Sequence, residues 1–207
     1  MHEQISHCKR QFKPADIRLR FWETGEMATD NNKDTTPATA TRADLFSRLD
    51  DLGVNHKTIE HPAFFTVEDG RAFKAEMPGG HSKNLFLKDK KGVLTLAVAH
   101  ADTRVDLVGL GKAIGAKGRL SFGKPELMTA TLGVIPGAVT PFALINPGAE
   151  ALSRVILDTA LLAADPIWFH PLENTASTAV SPDGLRAFLQ SCGFEPEIRD
   201  LAAPLAS

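Results

Sequence analysis

The run "NLFLKDKKGVLTLAVA", from Asn84 to Ala99, limits what this chain can fold into more than any other stretch. Two aliphatic segments flank Lys90-Lys91-Gly92, a polar turn closed by glycine, and the pattern predicts a β-hairpin. Strand side chains alternate between faces, so Leu85 and Leu87 share one face while Asn84, Phe86 and Lys88 share the other. Carried back one position, the same alternation puts Lys83 on the face of the two leucines. Lysine is seldom buried without a partner, so an inward lysine at the head of the hairpin asks for a functional explanation.

Around the hairpin the elements alternate in type. "TRADLFSRLDDLG" predicts a helix with Thr41 as N-cap, Asp44 three residues on, an apolar stripe of Leu45, Leu49 and Leu52, and Gly53 as the stop. "VNHKTIEH" reads as a strand and "TVEDGRAFKAEM" as a short helix opened by Thr66. After the hairpin, Val105, Leu107, Val108 and Ile114 are spaced as in a helix; "RLSFG", a helix over "KPELMTATLG" and a strand over "VTPFALI" follow. Strands around "RVILDTALLAA" and "PIWFHPL" precede a last helix, "SPDGLRAFLQSCG", capped by Ser181 with Pro182 at its first position. Strands joined by both hairpins and helices predict an α+β fold with a mixed sheet, and no repeat period is apparent.

The 207 residues suit one domain with some tail to spare. "MATDNNKDTTPATA", residues 27–40, is polar and lacks a hydrophobic period, as in a linker. Residues 1–40 are therefore expected to be a disordered or extended tail, and residues 41–207 the folded domain. No apolar run approaches the ~20 residues that span a bilayer, and the N-terminus lacks the apolar core of a signal peptide. Cys8 and Cys192 lie far apart and form neither a disulfide framework nor a zinc-ligand pair. The expectation is a cytoplasmic protein with no membrane partner and no metal.

The net charge of −2 hides an uneven distribution. From Arg71 to Lys124 there are eleven Lys and Arg residues against four acids, a local excess of +7, leaving −9 for the remainder. A basic block in a mildly acidic chain suits an anionic partner; a solvated hairpin face reads equally well from charge alone.

Familiar catalytic signatures are absent. "GLGKAIGAKG" lies within a helical pattern and lacks the Lys-Ser/Thr ending of a phosphate loop. There is no His-Glu-x-x-His spacing for a metal and no Gly-x-Ser-x-Gly elbow. Three segments remain: "HSKNLFL", "LGVIPGAVTPFAL" and "WFHPLENTAST". Glycines in the second let backbone N–H groups approach a ligand, and Pro136 and Pro141 hold its shape. Such a loop binds a phosphate or an oxyanion, or is a tight turn entering a strand. His170 reads as a site residue or as a core histidine.

Together, "EHPAFFTVEDG", the "KNLFL" strand, "GAVTP" (Gly137 to Pro141) and "FHPLENTAST", in this order, resemble the prolyl-tRNA editing family. This family comprises the YbaK-like free-standing deacylases and the insertion domain of bacterial prolyl-tRNA synthetase. The resemblance runs from about Ala43 to Leu201 and is strongest to the branch that removes alanine from mischarged proline tRNA. It implies a mixed, largely antiparallel, barrel-like sheet flanked by helices. It also implies that Lys83 engages the phosphate near the 3′-terminal adenosine, and that Gly137, Ala138 and Pro141 belong to the loop positioning the CCA end. His170 is implied to orient or contact substrate, and Asn84 to touch the terminal ribose. No cofactor is implied. The implied partner is the acceptor end of mischarged tRNA, with prolyl-tRNA synthetase a further candidate. Hydrolysis of Ser- or Cys-tRNA on the same fold, and a non-catalytic module that binds tRNA ends, stay open as alternatives.

Overall fold

A computed structural model describes residues 39–63 and 77–202; the helix expected from Thr66 lies outside them. In chain order the elements are α1 (Arg42–Asp51), β1 (Lys57–Glu60), β2 (Gly80–Lys88), β3 (Leu94–His100), α2 (Leu107–Ala113), β4 (Ser121–Phe122) and α3 (Pro125–Leu132). Two 3-10 helices follow, Pro141–Ile145 and Pro147–Ala151. The chain then forms β5 (Leu152–Asp158), α4 (Thr159–Leu162), β6 (Ile167–Phe169), β7 (Ala176–Val180), α5 (Pro182–Ser191) and β8 (Glu197–Arg199).

The predicted hairpin sits at the centre of an eight-stranded mixed sheet of order β1-β7-β6-β2-β3-β5-β8, with β4 added to β2. Four of its seven pairings are antiparallel. Helices flank it, so the fold is α+β as the sequence implies. In β3, Leu94, Leu96 and Val98 enter the larger core, with Leu45 and Leu49 of α1, Leu132 of α3 and Phe188 of α5. Ala97 and Ala99 face the other way and meet Leu87, Leu110 of α2 and Ile156. Burial on both faces explains why β3 reads as an almost continuous apolar run. Phe142 packs edge-on against Phe169 at 5.5 Å and Phe188 at 5.2 Å, each pair adding about 0.5–1.5 kcal/mol beyond burial.

The helix ends follow local chemistry. Thr41 and Asp44 form a reciprocal capping box on α1, and Ser181 caps α5 with Pro182 behind it. Elsewhere the structure departs from the sequence reading. "VTPFALI" is a 3-10 helix rather than a strand: Pro141 has no N–H for a sheet ladder, and the Thr140 hydroxyl accepts from Phe142 N. "RVILDTALLAA" is a strand only to Asp158, whose side chain accepts from Ala160 N and starts α4. In α2, capped by Asp106, Leu110 takes the core position, while Val108, expected inside, is 55% exposed. The strands β7 and β8 are additional to those read from the sequence.

The docked chain begins before α1. Ala40 N–H donates to Asn146 Oδ1 at 2.7 Å, and Asn146 Nδ2 donates to the Leu132 carbonyl. Deleting residues 1–38 is expected to leave the melting temperature unchanged. Deleting 1–40 removes one hydrogen bond worth about 0.5–1.5 kcal/mol and is expected to lower it by a few degrees in a thermal melt.

Candidate active site

Strand β2 lies between β3 on one edge and β6, followed by β4, on the other. Gly80 and His81 pair in parallel with Ile167 and Trp168 of β6, whereas Ser82 to Lys88 pair antiparallel with β3. The Ser82 hydroxyl makes a last link to the Trp168 carbonyl at 3.1 Å, and there β2 and β6 part. Ligands of α/β sheets collect in such crevices, beyond the carboxyl ends of parallel strands. Carried two residues further, the β2–β6 register would set Lys83 opposite His170.

Lys83 lies on the face of Leu85 and Leu87, as its parity requires. Its β3 neighbour is Ala99, whose methyl group leaves room for the lysine stem. The half-buried ammonium donates to the Ala101 carbonyl at 3.0 Å, and no carboxylate among the described residues forms an ion pair with it. An ammonium has three donors, so this one keeps capacity for an anion. Its acceptor is held firmly. Ala101 N–H donates to the His81 carbonyl, and the fully buried Asp158 carboxylate accepts from His100 N and from the Thr103 hydroxyl on either side.

Asn84 points to the opposite face. Its Nδ2 donates to the Val139 carbonyl at 2.8 Å, fastening the Gly137–Pro141 loop to β2. In that loop Gly137 is exposed with φ +91°, while Ala138 and Pro141 are buried. Ala138 N–H donates to the Ile135 carbonyl, closing a turn. Asn84 and the loop are thus brought together; Lys83 sits beside Asn84 in sequence but across the sheet from the loop.

His170 follows β6 directly. Its Nδ1 lies 2.9 Å from the Ala176 carbonyl, which can only accept, so the proton sits on Nδ1 and Nε2 keeps a lone pair. Burial pushes its pKa below the ordinary imidazole value; the hydrogen bond to Ala176 opposes this, and the nearby His61 adds to it. His170 is therefore held neutral. The His61 ring lies 5.9 Å away, centroid to centroid, and is itself buried, with Nε2 2.9 Å from the Ser177 hydroxyl. His61 N–H also donates to the Thr175 carbonyl. The loop between β6 and β7 is further fixed by Arg42, which pairs with Glu173 at 2.9 Å and with Glu60.

Sequence reasoning missed His61 and Asp158. The signal for His61 was visible in retrospect, since His61-Pro62 repeats the dipeptide of His170-Pro171. Asp158 carried only the signature of a helix cap.

The basic block is displayed rather than neutralised. None of its nine cations from Lys83 to Lys124 forms an ion pair among the described residues. Asp89 instead serves the backbone, accepting from Lys91 N, Val93 N and Lys117 N. The Lys117 N–H is the main cause of a carboxyl pKa below the usual range.

The aminoacyl-tRNA editing domain matches residues 61–188, a span that holds Lys83, Asn84, the loop and His170. The chain belongs to that family. It is 35% identical over 162 residues to the mouse prolyl-tRNA synthetase associated domain-containing protein 1, covering 76% of this chain and 94% of that one. The prolyl-tRNA editing protein ProX of Acetoanaerobium sticklandii is 31% identical over 150 residues, covering 72% and 90%. A solved structure of a candidate trans-editing enzyme for prolyl tRNA synthetase superposes with a TM-score of 0.57 at 25% identity, covering 79% of this chain and 98% of that one. Protein APE2540, at 17% identity and a TM-score of 0.61, shares the fold.

The neutral His170 sets a pH dependence. Its folded-state pKa lies below the unfolded value of about 6.5, so the unfolded chain binds more protons below that pH. The contribution of His170 to stability is complete above about pH 6.5 and is lost as pH falls through the folded-state pKa. Urea unfolding at pH 7.5 and 5.5 is expected to show a smaller difference for His170→Gln than for the parent chain.

Proposed function

We propose that this chain is a trans-acting deacylase that hydrolyses the ester of mischarged tRNA, with alanine on proline tRNA as its substrate. The observation that carries the reading is Lys83, a half-buried ammonium without a carboxylate partner among the described residues, placed where β6 ends beside β2 in a chain of the editing family. A substrate phosphate near the 3′ end supplies the missing anion, and a charge-assisted contact of this kind contributes about 1.5–3 kcal/mol. The name of ProX, a prolyl-tRNA editing protein, supports the choice of tRNA.

An aminoacyl ester is already activated, so positioning accounts for much of the chemistry. Lys83 holds the terminal phosphate and Asn84 approaches the ribose. The Nε2 lone pair of neutral His170 orients a water or the neighbouring ribose hydroxyl by accepting its proton in a hydrogen bond. Water adds to the ester carbonyl, the bond to the ribose oxygen breaks, and that oxygen leaves as a hydroxyl. The need for a second site is physical: a pocket built for proline cannot fully exclude smaller alanine, because a methylene discriminates by only about 1–3 kcal/mol.

The cations of the hairpin tip and the 112–119 region, unpaired among the described residues, support contact with a tRNA backbone. They contribute affinity rather than chemistry.

Incubating the protein with proline tRNA carrying Ala or Pro, and with Ser- and Cys-charged tRNAs, tests the reading. Faster loss of Ala than of Pro is expected. Preferential loss of Ser or Cys would reassign the substrate, and tight binding without turnover would make the chain a tRNA-end module. Lys83→Ala is expected to lower deacylation at least about tenfold while leaving the melting temperature unchanged or higher, since an ammonium short of partners is costly to bury. Lys90→Ala in the hairpin turn should only weaken tRNA binding slightly and reduce its salt dependence.

A further inference from the structure

Two side-chain amides among the described residues keep a fully buried atom without a hydrogen-bond partner: Asn84 at Oδ1 and Asn174 at Nδ2. Buried polar atoms are nearly always paired, so each exception asks what partner is missing. Asn146, equally buried, shows the ordinary case, with Oδ1 accepting from Ala40 N and Nδ2 donating to the Leu132 carbonyl. The unfilled acceptor of Asn84 belongs to the site described above. The unfilled donor of Asn174, a residue only 7% exposed, has been given no role.

Its place in the fold is defined by the two site histidines. The carbonyl of the next residue, Thr175, accepts from His61 N–H at 2.9 Å, and that of Ala176 faces His170 Nδ1 at 2.9 Å. Two residues before Asn174, Leu172 adopts φ +70°, a left-handed conformation unusual for a branched side chain. Strain of this kind persists where surrounding contacts over-determine the backbone, and it gathers at functional sites. Arg42 fixes the adjacent Glu173. The chain therefore holds Asn174 in a tied, strained loop while leaving its amide donor unused.

In the Gly137–Pro141 loop Ala138 N–H is engaged by the Ile135 carbonyl, and in the 3-10 helix that follows Phe142 and Ala143 N–H are engaged by Thr140. We infer that Asn174 is a further substrate-binding residue of the site, its Nδ2 donating to the carbonyl oxygen of the aminoacyl ester. This rests on the deacylase reading above. A 3′-aminoacyl adenosine presents a ribose hydroxyl beside an ester carbonyl, one donor and one acceptor, which match the empty acceptor of Asn84 and the empty donor of Asn174. When water adds to the carbonyl carbon, the π electron pair moves onto that oxygen. The Asn174 N–H meets the negative charge as it forms, until the carbonyl is restored and the ribose oxygen departs with a proton from the attacking water. A donor aimed at developing charge acts mainly on turnover.

Asn174→Leu and Asn174→Asp test this, the first near-isosteric and apolar, the second keeping the shape while removing the donor. Both are expected to lower kcat for Ala-tRNA by roughly a hundredfold or more, with KM changed by less than about threefold. The melting temperature of Asn174→Leu should equal or exceed that of the parent, because no hydrogen bond is lost. A kcat within about threefold of the parent in both variants, or a loss of activity matched by a marked fall in melting temperature in both, would overturn the assignment. A second measurement is independent of turnover: titration of 15N-labelled protein with 3′-alanylamino-3′-deoxyadenosine, the non-hydrolysable amide of the substrate end. The Asn174 side-chain resonance should shift; an unmoved resonance at saturation also overturns the assignment. Should the parent hydrolyse no aminoacyl ester, the deacylase reading fails, and the titration alone decides whether Asn174 meets an aminoacyl adenosine.

Discussion

Everything about the site depends on one strand that is paired along one edge and interrupted along the other. On one edge β2 pairs with β3 from Ser82 to Lys88; on the other it pairs with β6 at Gly80 and His81 and with β4 at Leu87 and Lys88. A backbone has one set of donors and acceptors on each edge, and on the β6 edge no strand pairs with β2 between His81 and Leu87 among the described residues, so a gap opens where β6 ends. The approach to β2 is correspondingly tight. Gly79 has φ +116°, and a Cβ there would stand 2.2 Å from the Pro166 carbonyl oxygen, so no other residue fits without moving the β6 approach. Lys83 and His170 flank the gap because of where the hydrogen bonding stops, with no need for long loops to carry them.

The two signs of charge are handled differently. Asp89 and Asp158 are buried and occupied by backbone N–H groups and a hydroxyl. They spend their charge on holding chain segments, the hairpin tip in one case and the Ala101 turn in the other. The cations of residues 83–124 are left without carboxylates among the described residues. Acids that bind backbone leave lysines unmatched, and a chain of nearly balanced composition thereby keeps a block of unpaired cations among its described residues. Net charge alone conceals this.

Much of the architecture was legible because its causes are local. The hairpin, the capped α1 and the Ser181-Pro182 start of α5 follow from turn residues, caps and periodicity within a few positions. What was illegible depends on distant partners. "ASTAV" becomes β7 only because β1 and β6 lie on either side of it, and "EIR" becomes β8 by joining β5. Pro141 to Leu144 are buried in succession, which periodicity cannot separate from a strand. In the site, Lys83 announced itself through parity, whereas His61 looked like part of a strand, since its pairing with His170 spans over a hundred residues. Ala138 and Pro141, drawn from the family motif, turn out to be buried elements of the loop, with Gly137 its exposed member.

Arg42 carries a consequence of another kind. Its guanidinium joins the start of α1 to Glu60 beside His61 and to Glu173 beside Asn174, through contacts open to water. Exposed ion pairs weaken as ionic strength rises. A protein that captures a polyanion already loses affinity with added salt; here the same ions would also loosen the tether of the loop that orders the pocket. If the chain acts on tRNA as proposed, salt would act on two stages of one process, capture by the cations and order within the crevice, and steady-state rates would fall more steeply with ionic strength than binding alone requires.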